Sequence, residues 1–372
     1  MTGKTTVNLT PADNSLAQLV LQDGTTYDGY SFGFRKASAG EVVFNTAMSG
    51  YPESLTDPSY QGQILALTYP LIGNYGVPPM IREHELLKYY ESERIHISGL
   101  IISEYSFESS HWNAWTKLSE WLIDHQVPAL GGIDTRALTK RLREKGSMPG
   151  KIIFPGQDLE FTDSYARKLV DEVSTKEVIT YGNGKYKIAL IDCGVKFNII
   201  RKLLERDTTV IRIPWDYDFS KMEYDGLFIS NGPGDPKQCK PTISNIAKAY
   251  QQKKPVFGIC LGNQLMALAA GGDTYKLKYG HRSHNQPVLK KGSNRCFITS
   301  QNHGYATLAE SLGAEWEEYF VNINDNTNEG IRHKSKPFFS TQFHPEASSG
   351  PTDTDFLFDE FIDLITKHKA TK

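Results

Sequence analysis

Three short segments of the 372-residue sequence hold side chains that could make and break a covalent bond. The first is Pro255-Val256-Phe257-Gly258-Ile259-Cys260-Leu261-Gly262-Asn263-Gln264. A short apolar strand meets a Gly-x-Cys-x-Gly turn and then an apolar helix, which is the logic of the G-x-S-x-G nucleophile elbow. Glycines on either side permit a tight, strained turn that lifts the thiol above a sheet. The helix N-terminus behind Cys260 favours thiolate over thiol. A lone cysteine is ordinarily a packed core residue; the two glycines and the strand-turn-helix context argue for a nucleophile instead.

A thiol nucleophile needs a base and a group to orient that base. A strand expected over 338–343 runs into His344-Pro345-Glu346. Residues two apart in extended backbone share a face, and Pro345 restricts the chain between them. His344 can therefore face Cys260 while Glu346 holds the other ring nitrogen and fixes the tautomer. Alone, His-Pro-Glu is equally compatible with a structural histidine; beside the elbow it completes a Cys260-His344-Glu346 triad. The third segment, Ser230-Asn231-Gly232-Pro233-Gly234-Asp235-Pro236, follows a buried strand. Exposed N–H groups at such a turn could stabilise a tetrahedral oxyanion, although by itself it reads as a tight strand-exit loop.

The elements that must position these residues alternate between strand and helix. Strands are expected over 187–192, 209–213, 226–230 and 256–259, with helices over 198–205, 243–251 and 261–270. That alternation predicts an open, mainly parallel α/β sheet with ligands beyond the carboxyl ends of its strands. The preceding part of the chain reads differently, as a β-rich α+β domain. Asp23-Gly24 is a turn between two short strands, and apolar, β-branched runs follow at 40–46, 63–68 and 97–103. One helix is expected around Trp115, Leu118 and Leu122 after Ser109-Ser110, and another over 135–145 between Asp134 as N-cap and Gly146 as terminator. The periodicity weakens near the turn-rich Tyr181-Gly182-Asn183-Gly184-Lys185. The expected organisation is thus an N-terminal domain over 1–155, a linker over 156–186 and a second domain over 187–372.

Composition bounds the function. With 39% hydrophobic and 23% charged residues, the chain can bury a sizeable core. The balance of 41 basic against 43 acidic residues argues against nucleic acid or an anionic membrane as the main partner. No apolar run approaches the ~18 residues of a membrane span, and Met1 to Ser15 lacks the pattern of a signal or transit peptide. Four cysteines without C-x-x-C pairing point to a reducing compartment, the cytoplasm.

In their order and spacing the three chemical segments resemble the class I, triad-type glutamine amidotransferases over residues 187–372. The resemblance implies that Cys260 attacks the side-chain amide of glutamine, His344 shuttles the proton and Glu346 orients His344. It also implies an oxyanion hole from the backbone of Gly232 and Leu261, and release of glutamate and ammonia through a γ-glutamyl thioester. Further segments are similar to the small subunit of carbamoyl-phosphate synthetase. They are Gly40-Glu41-Val42-Val43-Phe44-Asn45-Thr46, Gly50-Tyr51-Pro52-Glu53, Thr56-Asp57-Pro58-Ser59-Tyr60, the run 69–76, Gly132-Ile133-Asp134-Thr135-Arg136, Leu142-Arg143-Glu144-Lys145-Gly146 and Ser300-Gln301-Asn302-His303-Gly304-Tyr305. By that similarity Ser59, Gly232, Gly234, Leu261, Gln264, Asn302, Gly304 and Tyr305 hold the glutamine substrate. The chain departs from the family's usual pattern at Asn263, where His is common, and at Tyr305, where Phe is common.

What the resemblance implies overall is the glutamine-hydrolysing subunit of carbamoyl-phosphate synthetase, working in arginine or pyrimidine synthesis. It would pass ammonia through an internal channel to a large subunit or fused domain that uses ATP, Mg and bicarbonate, with the N-terminal domain as docking module. No G-x-x-x-x-G-K-[ST] loop is present, so no cofactor is expected in this chain. Two rival readings are a stand-alone cysteine hydrolase of γ-glutamyl amides and a non-catalytic regulatory scaffold. No metal is expected: His281, His284 and His303 lack the ligand spacing and the carboxylate or cysteine set of a zinc site. Cys193, Cys239 and Cys296 are read as packing residues, and Trp112, Trp115 and Trp121 as helix-face core or a docking surface.

Overall fold

The computed structural model describes residues 16–163 and 166–371. The N-terminal stretch read as free of a leader lies outside the described residues. The first half closes a barrel. Its strands are Leu16–Leu21 (β1), Thr26–Ser31 (β2), Ser38–Asn45 (β3), Gln63–Leu67 (β4), Gly99–Ile101 (β5), Ala129–Gly131 (β6) and Met148–Ile153 (β7), in the order β1-β7-β3-β4-β5-β6-β2 and back to β1. The expected turn joins β1 to β2, with Gly24 at φ +85°, a conformation open to glycine at no steric cost. Alternation along β1 sends Ala17, Leu19 and Leu21 into a core shared with Val42, Ile64, Ile101, Leu130 and Ile152. Period-2 patterning of this kind lets a closed barrel fill itself and removes open sheet edges.

The helix Thr135–Lys145 (α1) is bounded as the sequence predicts. Asp134 accepts a hydrogen bond from the Ala137 amide at 2.8 Å, and Gly146 ends the helix at φ +99°. The other expected helix is shorter, Leu118–Asp124 (α2), and Ser109-Ser110 does not cap it. The reason is local: Val77 and Thr116 pair as an isolated β-bridge, which holds the chain extended up to the helix. Trp115 therefore sits in the preceding loop with its side chain exposed, as does Trp112, while Trp121 is buried.

The second half is a ten-stranded sheet. Its elements are strands Ile179–Tyr181 (β8), Tyr186–Asp192 (β9), Thr208–Pro214 (β10), Gly226–Ile229 (β11), Val256–Ile259 (β12), Asp273–Lys290 (β13), Cys296–Leu308 (β14), Trp316–Asn322 (β15), Asn328–His333 (β16) and Phe338–Thr341 (β17). Helices Phe197–Leu204 (α3), Lys240–Ala249 (α4), Leu261–Ala269 (α5) and Phe356–Ala370 (α6) accompany them. The order is β8-β10-β9-β11-β12-β17-β16-β15-β13-β14. Strands β10, β9, β11, β12 and β17 are mutually parallel, as expected, and carry the chemical segments at their carboxyl ends. The sheet continues beyond β17 as an antiparallel block that the βα alternation did not announce. The stretch 156–186 contains a short helix, Leu169–Val173, and the edge strand β8, which pairs with β10. One buried cluster runs from Leu55 and Tyr60 in the first half to Ile199, Phe257 and Phe343 in the second, so the halves share a core at the site.

Candidate active site

The elbow forms because β12 must turn into α5 within one residue. That residue is Cys260, at φ 55° and ψ −104°, a strained conformation for a side chain bearing Cβ. Its amide donates to the Thr341 carbonyl at 2.8 Å, which ties the nucleophile to β17. The flanking glycines act by close approach rather than by left-handed backbone. A Cβ on Gly258 would lie 2.7 Å from the Gly262 carbonyl oxygen, and one on Gly262 would lie 2.3 Å from that of Ile229. The expected strained turn is present: the strain sits on the cysteine, and the glycines let α5 pack against the sheet. Leu261, the first residue of α5, has an N–H without an intrahelical acceptor, as an oxyanion donor requires.

β17 delivers the base. His344 Nδ1 lies 2.6 Å from Glu346 Oε1, both side chains buried. The ring's Nε2 is buried without a formal hydrogen bond, and the Cys260 sulfur is near enough to stabilise positive charge on it. Burial opposes that charge, yet Glu346 and Cys260 outweigh it and hold the imidazole above its ordinary range. Glu346 also resists burial and is held down to about 2, by Lys196 first and His344 second. Lys196 Nζ donates to Glu346 Oε1 at 3.0 Å and to the Ala347 carbonyl at 2.6 Å. Burial works against the Lys196 charge, but Glu346 and Glu91 keep it favoured. Arg201 pairs with Glu91 at 2.9 Å, so beside the triad each buried cation has a carboxylate partner, Lys196 with Glu346 and Arg201 with Glu91.

Eight residues were expected to hold glutamine. Seven of them (Ser59, Gly232, Gly234, Gln264, Asn302, Gly304 and Tyr305) line one pocket together with Cys260; Leu261 is buried beside it as the next residue of the elbow. Ser59 comes from the first half, after β3, and crosses to the site: Asn231 Nδ2 donates to Ser59 Oγ at 2.8 Å. Asp57 caps the Ser59 turn and accepts from Asn302 Nδ2 at 3.0 Å. Gly232 admits the Cys193 carbonyl within 2.1 Å of where its Cβ would stand, and Gly234 sits at φ +90°. The Asn302 carbonyl lies 3.5 Å from Cys260 Sγ.

Lys196, Asn231, Glu41 and Arg282 went unassigned in the sequence. Lys196 was discoverable in principle, because 193–196 is the exit of the parallel strand β9, where ligands gather. Glu41 and Arg282 line the pocket; Glu41 lies in a segment that carries the family resemblance but was given no role, and Arg282 lies in none of the motifs. Two other expectations change. His281 does have carboxylates nearby: Asp325 at 2.8 Å and Glu329 at 3.5 Å, and ligand atoms of His281, His303 and Glu329 fall within 4.8 Å of one another. These partners come from a distant loop and β16, invisible to sequence spacing. The two carboxylates overcome burial and raise the His281 imidazole to about 9. Cys193 and Cys239 are buried, whereas Cys296 is exposed and does not pack. Asn263, on α5, is fully buried.

A strained cysteine heading a helix of a parallel sheet, with a buried histidine-carboxylate pair one strand away, is the arrangement of a class I glutamine amidotransferase domain. Residues 189–364 match the family model "Glutamine amidotransferase class-I", and residues 19–152 match "Carbamoyl-phosphate synthase small chain, CPSase domain". The chain belongs to the carbamoyl-phosphate synthase small-chain family. It is 49% identical over 367 residues to the "Carbamoyl phosphate synthase arginine-specific small chain" of Aspergillus fumigatus, covering 96% of this chain and 81% of that one. It is 53% identical to "Carbamoyl-phosphate synthase [ammonia], mitochondrial" of Aquarana catesbeiana, covering 99% of this chain and 25% of the relative. It is also 53% identical to "Multifunctional protein CAD" of Squalus acanthias, covering 94% of this chain. The chain thus spans a quarter of the frog relative and 16% of the shark one. Among the described residues no helix is long and apolar enough to cross a membrane.

Proposed function

We propose that this chain hydrolyses glutamine and supplies the ammonia for carbamoyl phosphate synthesis. Cys260 Sγ attacks the side-chain amide carbon, forming a C–S bond. His344 passes a proton to the departing nitrogen, ammonia leaves, and water then cleaves the γ-glutamyl thioester to glutamate and free thiol. The N–H groups of Gly232 and Leu261 face the developing oxyanion. Ser59, Gly234, Gln264, Asn302, Gly304 and Tyr305 satisfy the ligand's α-amino and α-carboxylate groups. The observation that carries the reading is a cysteine held at φ 55° against the buried His344–Glu346 pair: a scaffold without chemistry has no use for that strain.

Ammonia is consumed by an ATP- and Mg-dependent synthetase, either a separate large subunit or a domain fused to this one, and this chain binds no cofactor of its own. Family membership and the greater length of the relatives support a synthetase partner. A second, polar cavity supports an internal exit: it shares Asn302 with the glutamine pocket, reaches His344 and is lined by Asn45, Glu53, Ser300 and Ser348. Trp112 and Trp115, 85% and 75% exposed in the loop before α2, support a docking role for the barrel half. The relatives' printed names support arginine or pyrimidine synthesis as the destination. The free cysteines suit the cytoplasm.

The test is Cys260→Ser in the complex with the synthetase. Glutamine-dependent synthesis is expected to vanish while ammonia-dependent synthesis persists; equal loss of both activities removes Cys260 from the role of glutaminase nucleophile. Wild-type glutaminase turnover that is vigorous and indifferent to any synthetase points instead to a stand-alone hydrolase.

A further inference from the structure

Where α5 packs on β14 and β17, five side-chain amides and hydroxyls form a chain whose polarity is set at one end. The Tyr305 carbonyl can only accept, so the Gln264 atom 2.9 Å from it is Nε2. The other N–H of the same nitrogen goes to Gln342 Oε1 at 3.1 Å. Gln342 Oε1 also accepts from Asn263 Nδ2 at 3.1 Å. Asn263 Nδ2 then donates to Thr307 Oγ1 at 3.2 Å, and Asn263 Oδ1 accepts from Ser340 Oγ at 2.7 Å. Every orientation follows from the first. Gln342 is fully buried, and its Nε2 has no partner. Turning that amide over would not relieve it, because its N–H groups would then meet two other donors. The fold accepts one orphaned nitrogen in order to present one oxygen to two donors.

The consequence lies in the pocket. Gln264 lines it beside Cys260, and both its N–H groups are committed to Tyr305 and Gln342. What remains for a ligand is Oε1, an acceptor. An acceptor there suits a protonated amine and gives nothing to a carboxylate or a carbonyl.

We propose that Gln342 is a positioning residue: its Oε1 locks the Gln264 amide with the oxygen toward the pocket, and so selects substrates that carry an α-ammonium group. Gln342 touches neither the substrate nor Cys260 and acts through Gln264. The inference rests on the glutaminase reading, and it places the discrimination between glutamine and its deamino analogue one residue behind the pocket wall.

The experiment compares glutamine with glutaramate, the same amide without the α-amino group, on the full chain. The wild type is expected to prefer glutamine strongly. Gln342→Leu removes the acceptor and frees the Gln264 amide to turn; glutamine KM should rise about tenfold with kcat within about threefold, and the glutamine-to-glutaramate ratio of kcat/KM should fall about tenfold. Gln342→Glu keeps an oxygen at the shared position and should hold the ratio within about threefold of wild type. Where Leu impairs folding, judged by thermal melting, Gln342→Met repeats the test with an unbranched side chain lacking a strong acceptor. An unchanged ratio in these variants, or an equal fall for both substrates, overturns the proposal. A wild-type chain that hydrolyses no glutamine overturns the underlying reading instead, so the two failures are distinguishable.

Discussion

The barrel half and the sheet half handle charge in opposite ways. In the barrel half, ion pairs such as Arg82–Glu93 and Lys117–Glu108 lie in solvent, where such pairs contribute little, and the core inside the barrel strands is apolar. The sheet half buries Lys196–Glu346 and Arg212–Asp192 and a histidine between a carboxylate and a thiol. Burying charge carries a desolvation penalty that only close pairing and hydrogen bonds offset, and the sheet half meets that condition around its reactive groups. The barrel half contributes at the boundary instead. Glu91 accepts from the Asn198 amide, from Arg201 and from Ser348, and Asp57 and Ser59 complete the pocket wall. The difference implies an unequal division of labour: the sheet half should set kcat and share in KM through its own pocket residues, whereas the barrel half should enter through KM alone.

The largest effect that can break this division is at His344. Its imidazole is held in place by Glu346 at 2.6 Å, and Cys260 favours its charged form. His344→Asn should lower kcat about 10³-fold, within the usual range for losing a general acid-base, while glutamine still binds with near-normal Kd. Rapid-quench measurement of thioester formation checks it. A wild-type burst in this variant would remove His344 from the chemistry and with it the contrast between the halves.

Much of that chemistry was legible in the sequence, because it is local. Gly258, Cys260 and Gly262 belong to one turn, and His344 and Glu346 lie two residues apart just beyond β17, so nearness in sequence predicts their juxtaposition. The backbone there is a turn, with the Ala347 amide donating to the His344 carbonyl at 3.1 Å, rather than the extended segment the sequence suggests. The parallel strands and α1 were equally local, being set by period and caps such as Asp134. What stayed hidden depends on long-range pairing. Lys196 meets Glu346 across 150 residues, and His281 meets Glu329 only because β13 and β16 fold into the same antiparallel block. The misplaced Trp115 has the same origin: the bridge between Val77 and Thr116 overrides a helical spacing that was locally sound.

A smaller effect sharpens the contrast from the other side. Ser59 lies in the pocket wall that the barrel half supplies, and its hydroxyl accepts from Asn231 at 2.8 Å, leaving its own hydrogen for a ligand carboxylate. Ser59→Ala should raise glutamine KM about tenfold, the value of one hydrogen bond to a charged group, with kcat within about threefold. Steady-state kinetics decide it: a kcat loss as deep as that of His344→Asn would show that the barrel half sets chemistry as well as binding.

The smallest effect tests whether Asn263 belongs to the reactive side at all. It neighbours the elbow in sequence, yet its amide contacts are Thr307, Gln342 and Ser340, on the face of α5 turned away from the pocket. Asn263→His installs the residue more common in the family. An imidazole N–H can still donate to Gln342 Oε1, so Gln264 keeps its orientation and kcat/KM for glutamine should stay within about twofold. The larger ring must fit a fully buried position already filled by three polar partners, and overpacking of this kind destabilises by about 1–3 kcal/mol. The expected signature is therefore a lowered Tm with unchanged kinetics, read by thermal melting beside a glutaminase assay. A change in kcat without a change in Tm would mean that α5 transmits its packing to the Cys260 backbone, and the reactive region would then extend one layer deeper than the triad.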